Sequence, residues 1–596
     1  MLDLFKAEIF RFRVWIAGYF LLHCGLIAFY GRMIDLLQLP TMIVKGITAV
    51  YLLSGLLFGL HQMSHYRRPN RWLNLLHRPV APRQIAGALI GAAMVAIGVA
   101  IVLPMIIMLT AQDLFSARVV DQRHWMLPAA TFLSVFAAYL AAAYVILGVR
   151  RYAWLIPILL VFLGYSEAIG IGVIAIQALI VLWLCFLVMS AFQPAVMQVP
   201  ARPVPLLATA LSVQMALYLL LVTAGGLIFQ VGWIMIGTHP LNGAPPEGGH
   251  VEASGARSSD LLMAGLARRH DQQTRIWREQ VRLSDPLKIQ PGFAALPARG
   301  EMTNMMPIMF DDEERAVRWT FSHDSMRFEG RSLRNGTRHG SLGLSASNRS
   351  FAQPPATFDD GTTVNARTFA RFEPKLERMS PRINVPAGET IATRPQPVGD
   401  SVALLTDKAL YLYDREVLDF GDEAFPARQR IRLSGRIGDL SRIDFIELLD
   451  GYLLSQTFGR WSSEGGSDGV QHLEKVDGSG KVIPVAQRAL SNDFPAPSRF
   501  HHIWLSPVLQ QVYHMVTNLF APKAPLQARL PPRIPNIVWL TAIALNLLSA
   551  IATFWWTTRS RLDRTRRLGW TGASAAIGLP AFLSLCLLYP LRRNRV

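Results

Sequence analysis

LLATALSVQMALYLLLVTAGGLIFQVGWIMI, residues 206–236, contains no Asp, Glu, Lys or Arg. A spanning α-helix needs about 20 mostly apolar residues, so this run crosses a bilayer with length to spare. The chain on its far side is different in kind. Residues 240–533 hold 34 of the 41 Asp+Glu and 36 of the 59 Lys+Arg, close to neutral, whereas the rest holds 7 acids and 23 bases. The net charge of +18 therefore belongs to the short segments beside apolar runs, which favours a membrane over nucleic acid as the partner of that charge. A mean hydropathy of +0.28 over 596 residues, 51% of them hydrophobic, excludes a single soluble domain and a disordered chain.

Working outward from 206–236, further apolar runs lie near 14–31, 42–62, 85–110, 125–148, 153–169, 172–193, 535–556 and 571–590. The expectation is a polytopic α-helical membrane protein of about nine transmembrane helices. The run 153–193 is too long for one span and breaks at Gly164, Glu167, Gly170 and Gly172. With the N-terminus inside, the basic loops agree on one side: Arg67, Arg68, Arg71, Arg78 and Arg83, then Arg150 and Arg151, then Arg202, then Arg559, Arg561, Arg564, Arg566 and Arg567. The tail Arg592, Arg593, Arg595 dissents, so either a late helix tolerates three outer charges or the last segment does not fully span. Cys24, Cys185 and Cys586 all sit in apolar runs and offer no disulfide framework or metal pair.

This topology delivers residues 240–533 to the outside. There the pattern turns to period two. Strand-like runs at 402–405 and 409–413, and at 445–449 and 452–458, flank turn residues, the second pair around Asp450-Gly451. Two more pairs, 317–322 with 326–329 and 472–476 with 482–485, do the same. The turns at 407–408 and 450–451 stand 43 residues apart, and that at 324–325 about two such steps earlier. A period near 40–45 with four strands per unit is the spacing of propeller blades, although the intermediate unit near 360–375 is faint. The expectation is a large all-β external domain, propeller-like, with a generic β-sandwich as the alternative.

The loop Asn70-Arg71-Trp72-Leu73-Asn74-Leu75-Leu76-His77-Arg78-Pro79 places Trp72, Leu75 and Leu76 at i, i+3, i+4, one apolar stripe on a short helix ended by Pro79. It reads either as a docking helix for a cytoplasmic partner or as an interfacial helix on lipid headgroups. The basic amphipathic segment 2–13, the loop LLHRPVAPRQI at 75–85 and the broken hairpin of helices five and six together resemble an ABC-2-type transporter permease over residues 1–195. The resemblance implies that Asn70, Arg71, Trp72, Leu75, Leu76, His77 and Arg78 form a coupling helix that sits on a cytoplasmic ABC ATPase subunit. It also implies a homodimer of the permease, in a bacterial inner membrane, with the 240–533 domain in the periplasm.

No G-x-x-x-x-G-K-[ST] occurs, so the chain has no phosphate loop, and ATP and Mg are expected on the partner. No catalytic motif appears, and no cofactor is expected on this chain. His61, His65 and His77 stand among arginines, His501-His502 lacks a spaced partner, and Asp311-Asp312-Glu313-Glu314 reads as a solvated turn, so no metal site is expected. Glu167, the one acid within 125–237, sits at an outer turn. The organisation is thus a six-helix core at 1–200, a seventh helix at 201–239, the β-rich domain at 240–533 and C-terminal helices at 534–596. The function expected is a permease subunit for export or for transmitting motion to the periplasm. The alternative is a membrane-anchored periplasmic ligand-binding or sensory protein; a quinoprotein-like enzyme ranks last.

The charge count makes a testable topology. In intact cells an impermeant thiol reagent leaves an Asn74→Cys variant unlabelled until the membrane is opened; labelling from outside would invert the orientation.

Overall fold

The computed structural model describes residues 2–76, 80–165, 170–193, 198–239, 243–301, 306–418, 425–520 and 524–591. Helix α1 (Leu2–Met33) makes the basic N-terminal segment and the first apolar run one continuous rod, and α2 (Thr41–Tyr66) returns. After the short α3 (Pro69–Leu76), α4 (Pro82–Ile97) passes through a π turn at Gly98–Val102 directly into α5 (Leu103–Phe115). Next come α6 (Gln122–Leu147), the single turn α7 (Arg150–Ala153), a 3-10 run at Ile156–Tyr165, α8 (Ile171–Ala191) and α9 (Pro203–Ile236).

The β body begins with three helices, α10 (His250–Gly255), α11 (Ser258–Leu266) and α12 (Gln272–Leu283). Strand β1 (Leu287–Ile289) is followed by four antiparallel meanders in chain order. They are β2 to β5 (Met309–Asp312, Val317–Ser322, Arg327–Ser332, Arg338–Leu342) and β6 to β9 (Ala356–Thr357, Thr362–Val364, Thr368–Glu373, Arg378–Asn384), then β10 to β13 (Gln396–Val398, Ser401–Leu405, Ala409–Asp414, Gln429–Arg432) and β14 to β17 (Leu440–Leu448, Gly451–Phe458, Val470–Asp477, Val482–Ala489). All four hairpins read from the sequence are present, with Asp450 and Gly451 at the β14–β15 turn, where Gly451 takes a positive φ of 134°. Strand β1 adds to the edge of the last sheet beside β14.

The meanders start at 309, 356, 396 and 440, so the period seen in the turns is the length of a four-stranded unit, and the faint unit is β6–β9. The propeller-like expectation reduces to its coarser part. Among the described residues the sheets form no closed barrel or propeller. Turn spacing reports meander length and says nothing of how meanders are arranged. Nor is the region all-β: Leu262, Leu266, Trp277 and Val281 of α11 and α12 cover Ile446, Leu453 and Leu473 of the last sheet.

After the body, α13 (Ala496–Arg499), α14 (His501–Leu505) and α15 (Pro507–Phe520) turn back onto the membrane helices, where Leu505 and Leu509 pack with Phe162, Met215 and Tyr218. The chain ends with α16 (Asn536–Arg559), α17 (Arg564–Ile577) and α18 (Leu579–Leu588).

Among the described residues seven helices are long and apolar enough to cross a membrane: α1, α2, α4–α5 as one, α6, α8, α9 and α16. Two of the nine expected runs, 153–169 and 571–590, are not among them. The run 153–169 is mostly a 3-10 segment, and its end, with Glu167, lies outside the described residues. The run 571–590 is broken at Gly578, whose φ of +84° splits α17 from a ten-residue α18. The arginines of the tail also lie outside the described residues.

The tightest helix pair is α2 against α6. A Cβ on Gly55 would meet the Val135 carbonyl oxygen at 2.3 Å, and one on Gly59 the Tyr139 carbonyl oxygen at 2.4 Å. Two glycines four apart, facing Ala138 and Ala142, let the backbones touch, which is how helices associate where lipid removes the hydrophobic drive. Gly59→Val is expected to destabilise by about 1–3 kcal/mol because backbone cannot yield to it. Gly46→Val, in open space on the same helix, should change stability by less than about 0.5 kcal/mol. Thermal unfolding in detergent distinguishes them; equal midpoints would remove the glycines from this role.

Candidate functional site

The sequence-predicted site is α3. Trp72 is 6% and Leu75 3% exposed, and the Trp72 ring lies 5.0 Å from that of Phe192 just past α8. Arg71 and Asn74 face outward, with Arg71 against His65 of α2. The side chains of Asn70 and Leu76 are not among those described, and His77 and Arg78 lie outside the described residues. The apolar stripe thus anchors α3 in the helix bundle. Amphipathic spacing reports that a face is covered without saying by what. Among the described side chains of α3, the exposed ones are the polar Arg71 and Asn74.

Immediately before α3, the end of α2 enters a buried polar cluster that the sequence did not reveal. Glu8 of α1 is buried. It accepts from Gln62 Nε2 at 3.0 Å and from the Tyr66 hydroxyl, and pairs with Arg11 at 3.4 Å. Gln62 Oε1 in turn accepts from the Tyr139 hydroxyl of α6 at 2.8 Å. One carboxylate therefore ties α1 and α2 together and, through Gln62, reaches α6, in surroundings where an unpaired charge would be costly. The one signal in the sequence was an acid, Glu8, set between Lys6 and Arg11.

Half-way along α1, His23 meets the π turn. The Ala100 carbonyl can only accept, so His23 Nδ1 donates to it at 3.2 Å, which leaves Nε2 to accept from the Tyr51 hydroxyl at 2.8 Å. A π turn and a membrane-buried histidine are each features that mark functional positions. Tyr51 also lines a cavity of about 150 Å³ toward the far end of the bundle, with Thr48, Thr131, Ser134 and Gln177 as its other polar residues.

At that far end the β body grips the bundle. Asp121, the N-cap of α6, is 1% exposed; it accepts from the Ser322 hydroxyl at 2.8 Å and the His323 backbone N–H at 3.0 Å, and pairs with Arg123 at 3.3 Å. Asp324 returns the contact, accepting from the Gln122 N–H at 2.9 Å. The β3–β4 turn thus supplies a carboxylate to the first N–H of α6, that of Gln122, where the helix dipole favours negative charge. A second clamp is Arg331 of β4, which donates to the carbonyls of Asp113 and Ser116 at the end of α5, both at 3.2 Å. Sequence reading saw 323–325 only as a turn. Its partners lie about 200 residues away, and nothing local marks them.

Two acids of the 311–314 run find local partners. Asp311 pairs with Arg318 at 2.8 Å and Asp312 with Arg315 at 3.2 Å. Among the described residues no group of three or more His, Cys, Asp or Glu is placed to hold a metal ion. Comparison with protein families, with curated proteins and with solved structures finds no match to this chain.

Burial, and then Arg123, His124 and Arg299, push His323 down to about 3, while burial raises Asp121. With Nδ1 accepting from the Gly300 N–H at 3.0 Å, His323 is docked as the neutral ring. An undocked His323 takes up a proton below its ordinary value of 6.5 and a docked one does not, so docking weakens as pH falls from about 6.5 toward 3 and is unaffected above. Asp121 opposes this only near the carboxylate range, and Asp324 and Glu301 complete the charges nearby. Asp121→Ala leaves Arg123 buried without its carboxylate, a loss of about 3–5 kcal/mol. Hydrogen exchange at 113–124 and 322–324 should rise on acidification and in Asp121→Ala; unchanged exchange in both would mean the junction does not hold the body.

Proposed function

We propose that this chain is the membrane-spanning permease subunit of an ATP-driven ABC transporter, working as a homodimer with a separate cytoplasmic ATPase and passing motion to a β body on the outer side of a bacterial inner membrane. The observation that carries the reading is α6. Its N-terminus is capped by the β3–β4 turn, and Tyr139 on the same helix joins Gln62 and, through it, Glu8 and Tyr66, beside the start of α3. One buried, glycine-packed helix therefore connects the body to a short helix between spans that is anchored by Trp72 and Leu75 and exposes Arg71 and Asn74. Force applied to Arg71 and Asn74 passes through Trp72 and Leu75 into the bundle and along α6 to the junction. The two clamps support such transmission over a body hung from linkers alone, which is what an anchored ligand-binding protein would need.

Two glutamates on the exposed face, Arg71→Glu with Asn74→Glu, should reduce co-purification of a nucleotide-binding subunit by roughly tenfold, the effect of setting like charge against a partner surface complementary to Arg71. The fold should persist, because both side chains are exposed. Undiminished co-purification would remove α3 as the docking site, and the absence of any nucleotide-binding subunit from the native complex would remove the transporter reading.

A further inference from the structure

We infer that the crevice between α1 and α2 binds one anionic phospholipid from the leaflet surrounding the N-terminal end of α1. The inference needs only that these helices span a bilayer and stands apart from the transporter proposal. The crevice holds about 700 Å³. Its floor is made of small residues, among them Gly55, Ala96 and Ala100, so that a chain lying in it reaches the bundle.

On α1, Arg11, Trp15, Gly18 and Leu22 fall at i, i+4, i+7 and i+11, one stripe of the helix, and the last three line the crevice. A Cβ on Gly18 would meet nothing within 4 Å, so the width there is kept open by the missing side chain. From Phe12 to Leu22 the lining covers about 15 Å of helix at about 1.5 Å per residue. That is half of a ~30 Å hydrocarbon core, the depth of one leaflet. Beyond Leu22 the path meets His23, bonded to Ala100 and Tyr51, which separates the crevice from the smaller cavity on the other side. The depth suits an acyl chain of one leaflet.

The mouth sets the headgroup. His61 lines it, 5.9 Å from the Phe12 ring, and the Arg11 guanidinium lies 4.9 Å from the same ring. Arg13, two residues on, projects from the other side of α1, over the Phe10 ring, and takes no part. The nearby acid, Glu8, is turned inward to Gln62 and Tyr66 and leaves the donors that Arg11 does not use on it to the outside. A phosphate at this mouth meets the Arg11 guanidinium and the His61 imidazole, and Trp15 stands where indole rings favour the headgroup level. The acyl chain gains by packing against a shaped wall, since leaving water contributes nothing inside lipid.

The test uses the full chain in nanodiscs doped with phosphatidylglycerol or phosphatidylcholine carrying a photoactivatable acyl chain. Phosphatidylglycerol should label α1 and α2 peptides roughly fivefold more than phosphatidylcholine, as one arginine near a membrane surface implies. Gly18→Phe, which fills the crevice, should bring labelling down to the phosphatidylcholine level, and Gly46→Phe, in open space outside it, should not. Leu22→Trp, on a residue 60% exposed, fills the deep end and decides the matter if Gly18→Phe does not fold. Equal labelling by the two lipids, or full labelling in a folded filling variant, would overturn the site and leave ordinary annular lipid.

Discussion

A single buried carboxylate, Asp121, belongs to two structures at once. It caps α6 and it receives the β3–β4 turn, and removing it from water is tolerable only because Ser322, the His323 N–H and Arg123 satisfy its oxygens. Everything above the bundle takes its position from this contact and from Arg331 on Asp113 and Ser116. Everything below depends on the helix that Asp121 starts, because α6 runs through the centre of the bundle with Ala137 to Ala143 fully buried.

The same logic repeats along α6. Several of the bundle's buried polar groups join separate helices: Glu8 with Gln62 and Tyr66, Tyr139 with Gln62, His23 with Tyr51 and Ala100. In lipid the apolar surfaces supply little specificity, so close backbone approach at Gly55 and Gly59 and these few hydrogen bonds decide which helices neighbour which. The result is a bundle whose mechanical links and whose polar residues are the same residues.

What the sequence disclosed follows from the range of each signal. Apolar length and turn chemistry are local, so the long spans and all four hairpins were legible, and the meander length showed as a period of about 43 residues. The β6–β9 unit was faint because β6 has two residues and β7 three, too short for alternation to register. Hydropathy alone cannot separate a 3-10 run at Ile156–Tyr165 from an α-helix, and it passes over Gly578, so two spans were expected where short segments lie. The stripe on α3 was real, but only the fold shows that Phe192 covers Trp72. His23 and Asp121 had no local signature and Glu8 only its place among basic residues, since each owes its role to residues between 28 and 202 positions away.

The central claim is that body and bundle are one mechanical unit. Paired spin labels test it most directly, introduced as Phe115→Cys at the end of α5 and Leu449→Cys in the β14–β15 turn, positions 85% and 94% exposed, with the three native cysteines replaced. Dipolar spectroscopy in nanodiscs should give a single narrow distance distribution at neutral pH. A broad distribution, like that of a body swinging on its linkers, would contradict the account.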